Sequence, residues 1–271
     1  EPGPFMDREG DLYTSIVELV KVVRKLRSPS GCSWDRSQTV ESLSPFMLEE
    51  AYEVLEAVER GDTDTLRKEL GDLLLHIVMA SEICGEEGRF SLMDVVDGIT
   101  GKLVRRHPHV FDENVDLSPD EVEEQWETIK AAEKKDEGFF ESLPSTMPAL
   151  QTAWRIQQRA SDVGFDWPDA EGARARVMEE LKEFDGSVKE GDREEQFSEL
   201  GDFLFSAVNY VRLLGYEPEA LLRASNRKFL RRFTRMEEIL REKGAALEDA
   251  DLETMPEAAH RQPPGRRALA L

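Results

Sequence analysis

The residues of this chain that could do chemistry are acids, and they occur in one pattern that is repeated 130 positions later. Each copy has a Glu-x-x-Glu pair and then a Glu-Leu-Gly-Asp segment that opens an apolar run. The first copy comprises Glu50, Glu53, Glu69 and Asp72, and the second comprises Glu180, Glu183, Glu199 and Asp202. Helical residues three apart share a face, so two packed helices would gather four carboxylates in each copy. We expect these oxygen-rich sites to bind a hard divalent cation, Mg²⁺, with Mn²⁺ able to take its place.

The duplication distinguishes a metal site from an ordinary acidic surface. Asp and Glu make up 57 of 271 residues, so about 12 acid-x-x-acid pairs are expected by chance, and most such pairs are solvated helix faces. Aligning residues 49–80 with 179–210 without a gap gives 12 identities in 32 positions. Self-similarity of this kind marks a duplicated structural unit. Because the same acids recur in both copies at the same spacing, we favour metal binding over a solvated face.

Each repeat also carries basic residues downstream of its acids. Lys102 and Arg106 stand four residues apart on one helical face, as do Lys228 and Arg232, and Arg231 adjoins the second pair. We interpret these side chains as a cationic clamp for phosphate oxygens. The alternative is compensation of the helix dipole and ion pairing, since basic residues favour the last turns of helices. The presence of a pair in both repeats favours the functional interpretation.

The net charge of −22 limits the partners of this chain. It opposes stable binding to nucleic acid or to an anionic membrane surface, because their phosphate groups would be repelled. An anionic substrate fits such a chain only where cations bridge the two. Cys32 and Cys84 are too few and too far apart to indicate a disulfide framework or a zinc site, so we expect a reducing, cytoplasmic setting. No apolar stretch reaches the 18 residues of a membrane span.

Hydrophobic periodicity predicts an all-α fold of two tandem helical repeats, because no segment alternates convincingly as a strand does. Ser44 and Pro45 look like an N-cap followed by proline at the first helical position, so a helix is expected from there to about Arg60. The turn to the next helix is expected at 61–62. The predicted organisation is a first repeat at 11–135, a linker at 136–148, a second repeat at 149–242 and a partly disordered tail at 243–271.

A glycine is repeated inside each Glu-Leu-Gly-Asp segment. Gly71 and Gly201 are expected within helices, where each costs about 1 kcal/mol relative to alanine. Because both copies keep a glycine that lowers helix stability, we infer that the absence of a side chain there has a structural or functional role. We expect a neighbouring helix or a phosphate group to approach the backbone closely at these two positions.

Several further motifs accompany the acids and together point to a known family. They are Cys32-Ser33-Trp34-Asp35, Leu48-Glu49-Glu50, Glu69-Leu70-Gly71-Asp72, Arg105-Arg106-His107-Pro108, Val163-Gly164-Phe165-Asp166-Trp167 and Lys228-Phe229. Over about residues 11–255 the chain resembles the MazG family of all-α nucleoside triphosphate pyrophosphohydrolases in its two-repeat form. Ser33 stands where the family usually has proline, and the tryptophan that is common near the family's C-terminus is missing after Met255.

The resemblance implies a reaction, a cofactor and an assembly. The reaction is hydrolysis of a nucleoside triphosphate to the monophosphate and pyrophosphate with Mg²⁺, in a homodimer that completes the helical bundle. The resemblance also implies the eight acids above as metal ligands. Glu49 and Glu179 adjoin these ligands and are the candidates to orient the attacking water. We expect ribo- and deoxyribonucleotides and a broad range of bases, because no base-reading cluster accompanies the acids.

Two other classes of protein compete with this interpretation. A di-iron carboxylate bundle needs two Glu-x-x-His motifs facing a shared core, and the chain has only one, from Glu257 to His260. The stronger alternative is that one or both repeats are not catalytic and serve as a dimerisation or interaction module. Against it, each repeat keeps all four acids. The sequence leaves open which repeat is active.

Overall fold

The architecture is that of a computed structural model, which describes residues 9–112, 115–133, 138–141, 143–242 and 244. All regular secondary structure in these residues is helical, so the predicted all-α fold is confirmed. The helices are α1 (Glu9–Arg27), α2 (Ser33–Ser37), α3 (Val40–Arg60), α4 (Thr63–Glu86), α5 (Leu92–Arg106), α6 (Pro108–Phe111), α7 (Pro119–Glu133), α8 (Ala149–Asp162), α9 (Ala170–Glu190), α10 (Arg193–Leu213) and α11 (Pro218–Glu242). Apart from Gly244, the predicted tail lies outside the described residues, and Glu257 and His260 lie there with it.

The chain divides into two compact units, Glu1–Lys135 and Asp136–Leu271. The first contains α1 to α7, and the second contains α8 to α11. The limits of repeats, linker and tail given above stay predictions. Among the described helices, none combines the length and the apolar character that crossing a bilayer requires.

A helical hairpin lies at the centre of each unit, α3 with α4 and α9 with α10. Its turn is built in the same way both times. Gly61 and Gly191 end the first helix in the left-handed conformation, with φ of 67° and 78°, which glycine adopts without strain. Asp62 and Asp192 follow as N-caps and accept backbone N–H hydrogen bonds from the next helix. The turn predicted at 61–62 is confirmed.

Other helices pack against the second helix of each hairpin, α4 in the first unit and α10 in the second. In the first unit, α1 packs against α4, and the pair of Arg27 with Glu86 at 2.7 Å joins them. The buried cluster there comprises Val23, Leu43, Val78, Met79 and Ile83. In the second unit, α8 packs against α10, and α11 contacts both. Gln157 of α8 donates a hydrogen bond to the carbonyl of Phe205 on α10 at 2.8 Å.

The predicted start of α3 at Ser44 and Pro45 is wrong. The helix begins at Val40, because Thr39 and Ser42 form a reciprocal capping box that satisfies N–H groups of the first turn. Pro45 therefore lies inside the helix. Since its missing N–H would have bonded to the carbonyl four residues earlier, only one helical hydrogen bond is lost there.

The two repeated glycines face open space within the described chain. No atom outside the local helix lies within 4 Å of a Cβ placed on Gly71 or on Gly201. Neither glycine has a positive φ. The expected close approach of a neighbouring helix is therefore not found within this chain, and an approaching phosphate remains a prediction.

The open surroundings of Gly71 predict the effect of an alanine there. Because alanine is the better helix former and meets nothing, Gly71→Ala should raise the free energy of unfolding by about 0.5–1 kcal/mol. Urea denaturation would measure this. Gly61→Ala is the contrasting variant and should destabilise, because its φ of 67° disfavours any Cβ. A loss of stability in Gly71→Ala would contradict the assignment of open space.

Candidate metal centres and active site

The first cluster of acids lies on the hairpin of α3 and α4. Glu50 comes from α3, whereas Glu69 and Asp72 come from α4, and one oxygen of each lies within 4.8 Å of the other two. The tight turn at Gly61 causes this arrangement, because it folds α4 back along α3 with the acidic faces opposed. Glu53 lies close enough to Glu69 for the two carboxylates to repel each other, but outside this set of three.

The second cluster repeats the arrangement on the hairpin of α9 and α10. Glu180, Glu199 and Asp202 each offer an oxygen within 4.8 Å of the others. Glu183 adjoins Glu180 and again lies outside the set of three. The structure therefore brings together three of the four predicted metal ligands in each repeat and places the fourth next to them. Their roles as ligands stay predictions.

In the part of the chain that the structure describes, each cluster contains a buried carboxylate oxygen without a hydrogen-bond partner. Oε2 of Glu50 and Oε2 of Glu180 are buried and have no hydrogen-bond partner in the described part of the chain. Glu180 as a whole is only 2% exposed. A buried carboxylate oxygen without a partner carries a large desolvation cost, which a bound cation would offset. The residues present thus fit a hard divalent cation in both clusters.

Burial and like charges raise the pKa of several of these acids. The pKa of Glu50 is raised chiefly by burial and then by the charges of Asp72 and Glu53, against an opposing effect of His76. The pKa of Glu53 is raised chiefly by the charge of Glu69. These directions are those expected when carboxylates are held together without a counter-ion.

In the second cluster the pKa of Glu180 is also raised, chiefly by burial. The charge of Arg176 opposes this effect, and the charges of Asp202 and Glu183 add to it. Arg176 itself has a raised pKa, first because its guanidinium donates a hydrogen bond to Glu179. The two clusters thus contain the same types of acid but differ in the basic side chain beside them, which is His76 in the first and Arg176 in the second.

The sequence interpretation missed two residues at the clusters. Nε2 of His76 lies 3.8 Å from Oε1 of Glu50, and its ring stacks on Phe46. Nε of Arg176 lies 2.6 Å from Oε1 of Glu180, and another guanidinium nitrogen of Arg176 lies 2.7 Å from Glu179. The signal for Arg176 was its position one helical turn before Glu180.

The predicted phosphate-binding residues have varied surroundings. Arg106 is buried, stacks over Trp126 at 5.1 Å and pairs with Glu133 at 2.5 Å. Ion pairing of this kind is what the alternative to phosphate binding predicts. Lys102, Lys228 and Arg231 are exposed. Nε of Arg232 is buried and has no hydrogen-bond partner in the described residues. A role of these side chains in binding phosphate stays a prediction.

The two predicted water-orienting glutamates lie at the surface. Glu49 and Glu179 are both exposed and adjoin a cluster member in sequence. Glu179 accepts the hydrogen bond from Arg176 noted above. Both can therefore meet solvent next to a cluster, and their role in orienting water stays a prediction.

Comparison with known proteins agrees with this geometry. Residues 38–111, which hold the first cluster, match the model of the MazG nucleotide pyrophosphohydrolase domain. A Thermotoga maritima protein named nucleoside triphosphate pyrophosphohydrolase/pyrophosphatase MazG is 46% identical over 242 residues, or 89% of this chain and 92% of that protein. An Escherichia coli nucleoside triphosphate pyrophosphohydrolase is 41% identical over 248 residues, or 89% and 94%. The uncharacterised YabN of Bacillus subtilis is 43% identical over 93% of this chain and 52% of its own length.

The fold and its paired acidic clusters define an all-α protein of the MazG type. Identity above 40% along nearly the whole length of two relatives places both repeats within the similarity. The chain belongs to the MazG family, and the resemblance seen in the sequence is confirmed.

The raised pKa values predict how stability depends on pH when divalent cations are absent. A carboxyl with a higher pKa in the folded state binds more protons when folded, so stability falls as pH rises from the unfolded value, 4.5 for glutamate, through the folded pKa. Glu50→Gln with Glu180→Gln should reduce this fall. Urea denaturation in chelator from pH 4.5 upward would measure it.

The matched control for this prediction is Glu190→Gln, at the exposed end of α9. It removes one carboxylate outside the clusters and should follow the wild type at every pH. If the double variant and the wild type lose stability in parallel, the clusters are not the source of the pH dependence.

Proposed function

We propose that this protein hydrolyses nucleoside triphosphates to nucleoside monophosphates and pyrophosphate, with Mg²⁺ as cofactor and Mn²⁺ able to replace it. The observation that carries the proposal is the pair of carboxylate clusters, each with a buried oxygen that has no hydrogen-bond partner among the described residues. The names of the relatives from Thermotoga maritima and Escherichia coli give the same reaction class for those proteins. A cytoplasmic setting, without membrane or stable nucleic-acid partners, belongs to the same proposal.

The cation would be held by the acids of the two helical hairpins. Glu50, Glu69 and Asp72, with Glu53 beside them, would hold it in the first repeat, and the corresponding ligands in the second are Glu180, Glu183, Glu199 and Asp202. A bound divalent cation supplies charge neutralisation for the triphosphate and lowers the pKa of a coordinated water. Without such neutralisation, the acids would repel an anionic substrate.

The other side chains would position the reactants. Glu49 and Glu179 are exposed next to the clusters, where a carboxylate can accept a hydrogen bond from the attacking water and orient it. The exposed amino group of Lys228 and the guanidinium groups of Arg231 and Arg232 would contact phosphate oxygens in the second repeat. In the first repeat the corresponding predicted residues are Lys102 and Arg106, of which Arg106 also pairs with Glu133 and stacks over Trp126 on α7.

A homodimer fits the distribution of apolar side chains. Phe197 and Phe229 are exposed by 83% and 65% within the chain, which is costly in water if nothing covers them. Association of two copies would bury such side chains and complete the helical bundle. The alternative is that one or both repeats are not catalytic and serve as a dimerisation or interaction module.

The reaction can be tested directly. With Mg²⁺ the protein should release pyrophosphate from ribo- and deoxyribonucleoside triphosphates, and an excess of chelator should abolish the release. Loss of groups that merely support metal ligands costs roughly 10- to 100-fold, so the double variant Glu50→Gln, Glu180→Gln should lose at least about 100-fold in kcat. An enzyme-coupled pyrophosphate assay measures both effects.

The single variants assign the activity to the repeats. If both clusters work, Glu50→Gln and Glu180→Gln each retain part of the activity. If one single variant abolishes turnover, the other cluster is not catalytic. Glu190→Gln should keep the activity of the wild type. Release of orthophosphate instead of pyrophosphate, or full activity in chelator, would refute the proposed reaction.

A cavity in the second unit suggests how a broad range of bases would be accepted. It measures about 750 Å³, and Ser206, one helical turn after Asp202, contributes to its wall. Its aromatic lining comprises Phe139, Phe140, Phe165, Trp167 and Phe205. Aromatic faces stack on any base with little selectivity. If stacking provides most of the binding energy, the pattern of hydrogen-bonding groups on the base has little effect on affinity. This agrees with the expected broad range of bases.

Phe165 is the simplest test of this cavity, since it is 82% exposed and can be truncated with little loss of packing. Phe165→Ala should raise KM about tenfold for purine and pyrimidine nucleotides alike, because stacking contributes roughly 1–3 kcal/mol per base. Steady-state kinetics with ATP and CTP measure this. Phe111→Ala, at a phenylalanine of the first unit that is 57% exposed, should leave both KM values unchanged. Loss of one base class alone would contradict stacking.

A further inference from the structure

The two repeats place different side chains at one equivalent position beside their acids. In the ungapped register of the repeats, position 46 of α3 corresponds to position 176 of α9, since both precede the first cluster glutamate by four residues. The first repeat has Phe46 there, and the second has Arg176. An i,i+4 spacing on a helix brings either side chain next to that glutamate.

The contacts of the two side chains differ accordingly. Arg176 lies 2.6 Å from Oε1 of Glu180, 2.7 Å from Glu179 and 3.9 Å from Glu183. Phe46 instead packs edge-on against Trp34 and stacks on His76. A fixed cation therefore stands among the acids of the second repeat, and an aromatic ring takes its place in the first.

The first cluster has a weaker internal counter-ion. Within the residues described, the basic group that approaches Glu50 is His76, at 3.8 Å, which is beyond hydrogen-bond distance. Arginine, in contrast, stays protonated at every accessible pH and pairs strongly with carboxylates. The acids of the second cluster are thus partly neutralised before any metal ion arrives.

A divalent cation meets different conditions at the two clusters. At the second, it must either break the pairs of Arg176 with Glu180 and Glu179 or bind beside a like charge, and both reduce its affinity. It can still bind, because Oε2 of Glu180 is buried and free of hydrogen bonds within the described chain. At the first cluster, the residues that the structure describes form no comparable pair at Glu50 that would have to be broken.

We propose that Arg176 is a built-in counter-ion that lowers the affinity of the second cluster for a divalent cation, so that without nucleotide the first cluster fills first. This inference rests on the proposed metal-binding role of both clusters. It adds a difference in cation affinity between the repeats, which the identical set of acids in each repeat does not indicate.

Titration with Mn²⁺ in the absence of nucleotide tests the inference without reference to catalysis. Free Mn²⁺ measured by electron paramagnetic resonance should reveal two classes of site per chain, differing by about tenfold or more in Kd. Glu50→Gln should remove the tighter class, and Glu180→Gln should remove the weaker one. Arg176→Met should tighten the weaker class by about tenfold.

Two controls separate the local effect of Arg176 from net charge. Arg174→Met removes the same charge from the same helix, where Arg174 is exposed and pairs with Glu171 at 3.2 Å, so it should change neither class. The reciprocal variant Phe46→Arg should weaken the tighter class, whereas Phe46→Leu, which removes only the ring, should not. Thermal melting verifies that each variant is folded.

The outcomes are distinguishable. Two sites of equal Kd in the wild type, or an unchanged Kd of the weaker class in Arg176→Met, would overturn the counter-ion role. Either result would leave the proposed metal-dependent reaction intact. An equal tightening in Arg174→Met would overturn it as well, because the effect would then be one of net charge. Absence of any specific Mn²⁺ binding would overturn both this inference and the proposed function.

Discussion

Repulsion between carboxylates is the constraint on which both halves of this molecule depend. Each hairpin holds acids from two helices with oxygens within 4.8 Å of one another, and burial raises the pKa of its central glutamate. Such a site is costly to keep ionised in the absence of a cation. The turns that bring the two helices together use a left-handed glycine and an aspartate N-cap both times.

The two repeats differ in how far a neighbouring positive charge relieves that repulsion. In the second, Arg176 reaches the acids directly, whereas in the first an aromatic stack of Phe46 and His76 lies beside Glu50. Duplication of the acids alone would make two equal sites. The side chains around them make the two acidic clusters electrostatically unequal.

Exposed apolar side chains and the negative net charge would have opposite effects on association between copies of this chain. Large aromatic side chains are exposed on the second unit, although its helices α8, α10 and α11 pack against one another. A chain with a net charge of −22 would resist close association through charge alone. Apolar contact between copies and cation binding at the acidic clusters would each reduce that resistance, by burying apolar area and by neutralising charge.

The sequence by itself determined the all-α class, the family and the acids, because helical periodicity, turn glycines and duplicated spacing are local properties of the chain. It also located the turn at 61–62, since glycine followed by aspartate has a specific backbone role. It misplaced the start of α3, because the capping box of Thr39 and Ser42 outweighs the signal of Pro45. The spacing along α9 already placed Arg176 one helical turn before Glu180. Only the tertiary structure decided which oxygens converge, that Arg106 is buried against Trp126, and that His76 of α4 approaches Glu50 of α3. These outcomes depend on how two helices face each other, and residue spacing along one helix does not specify that.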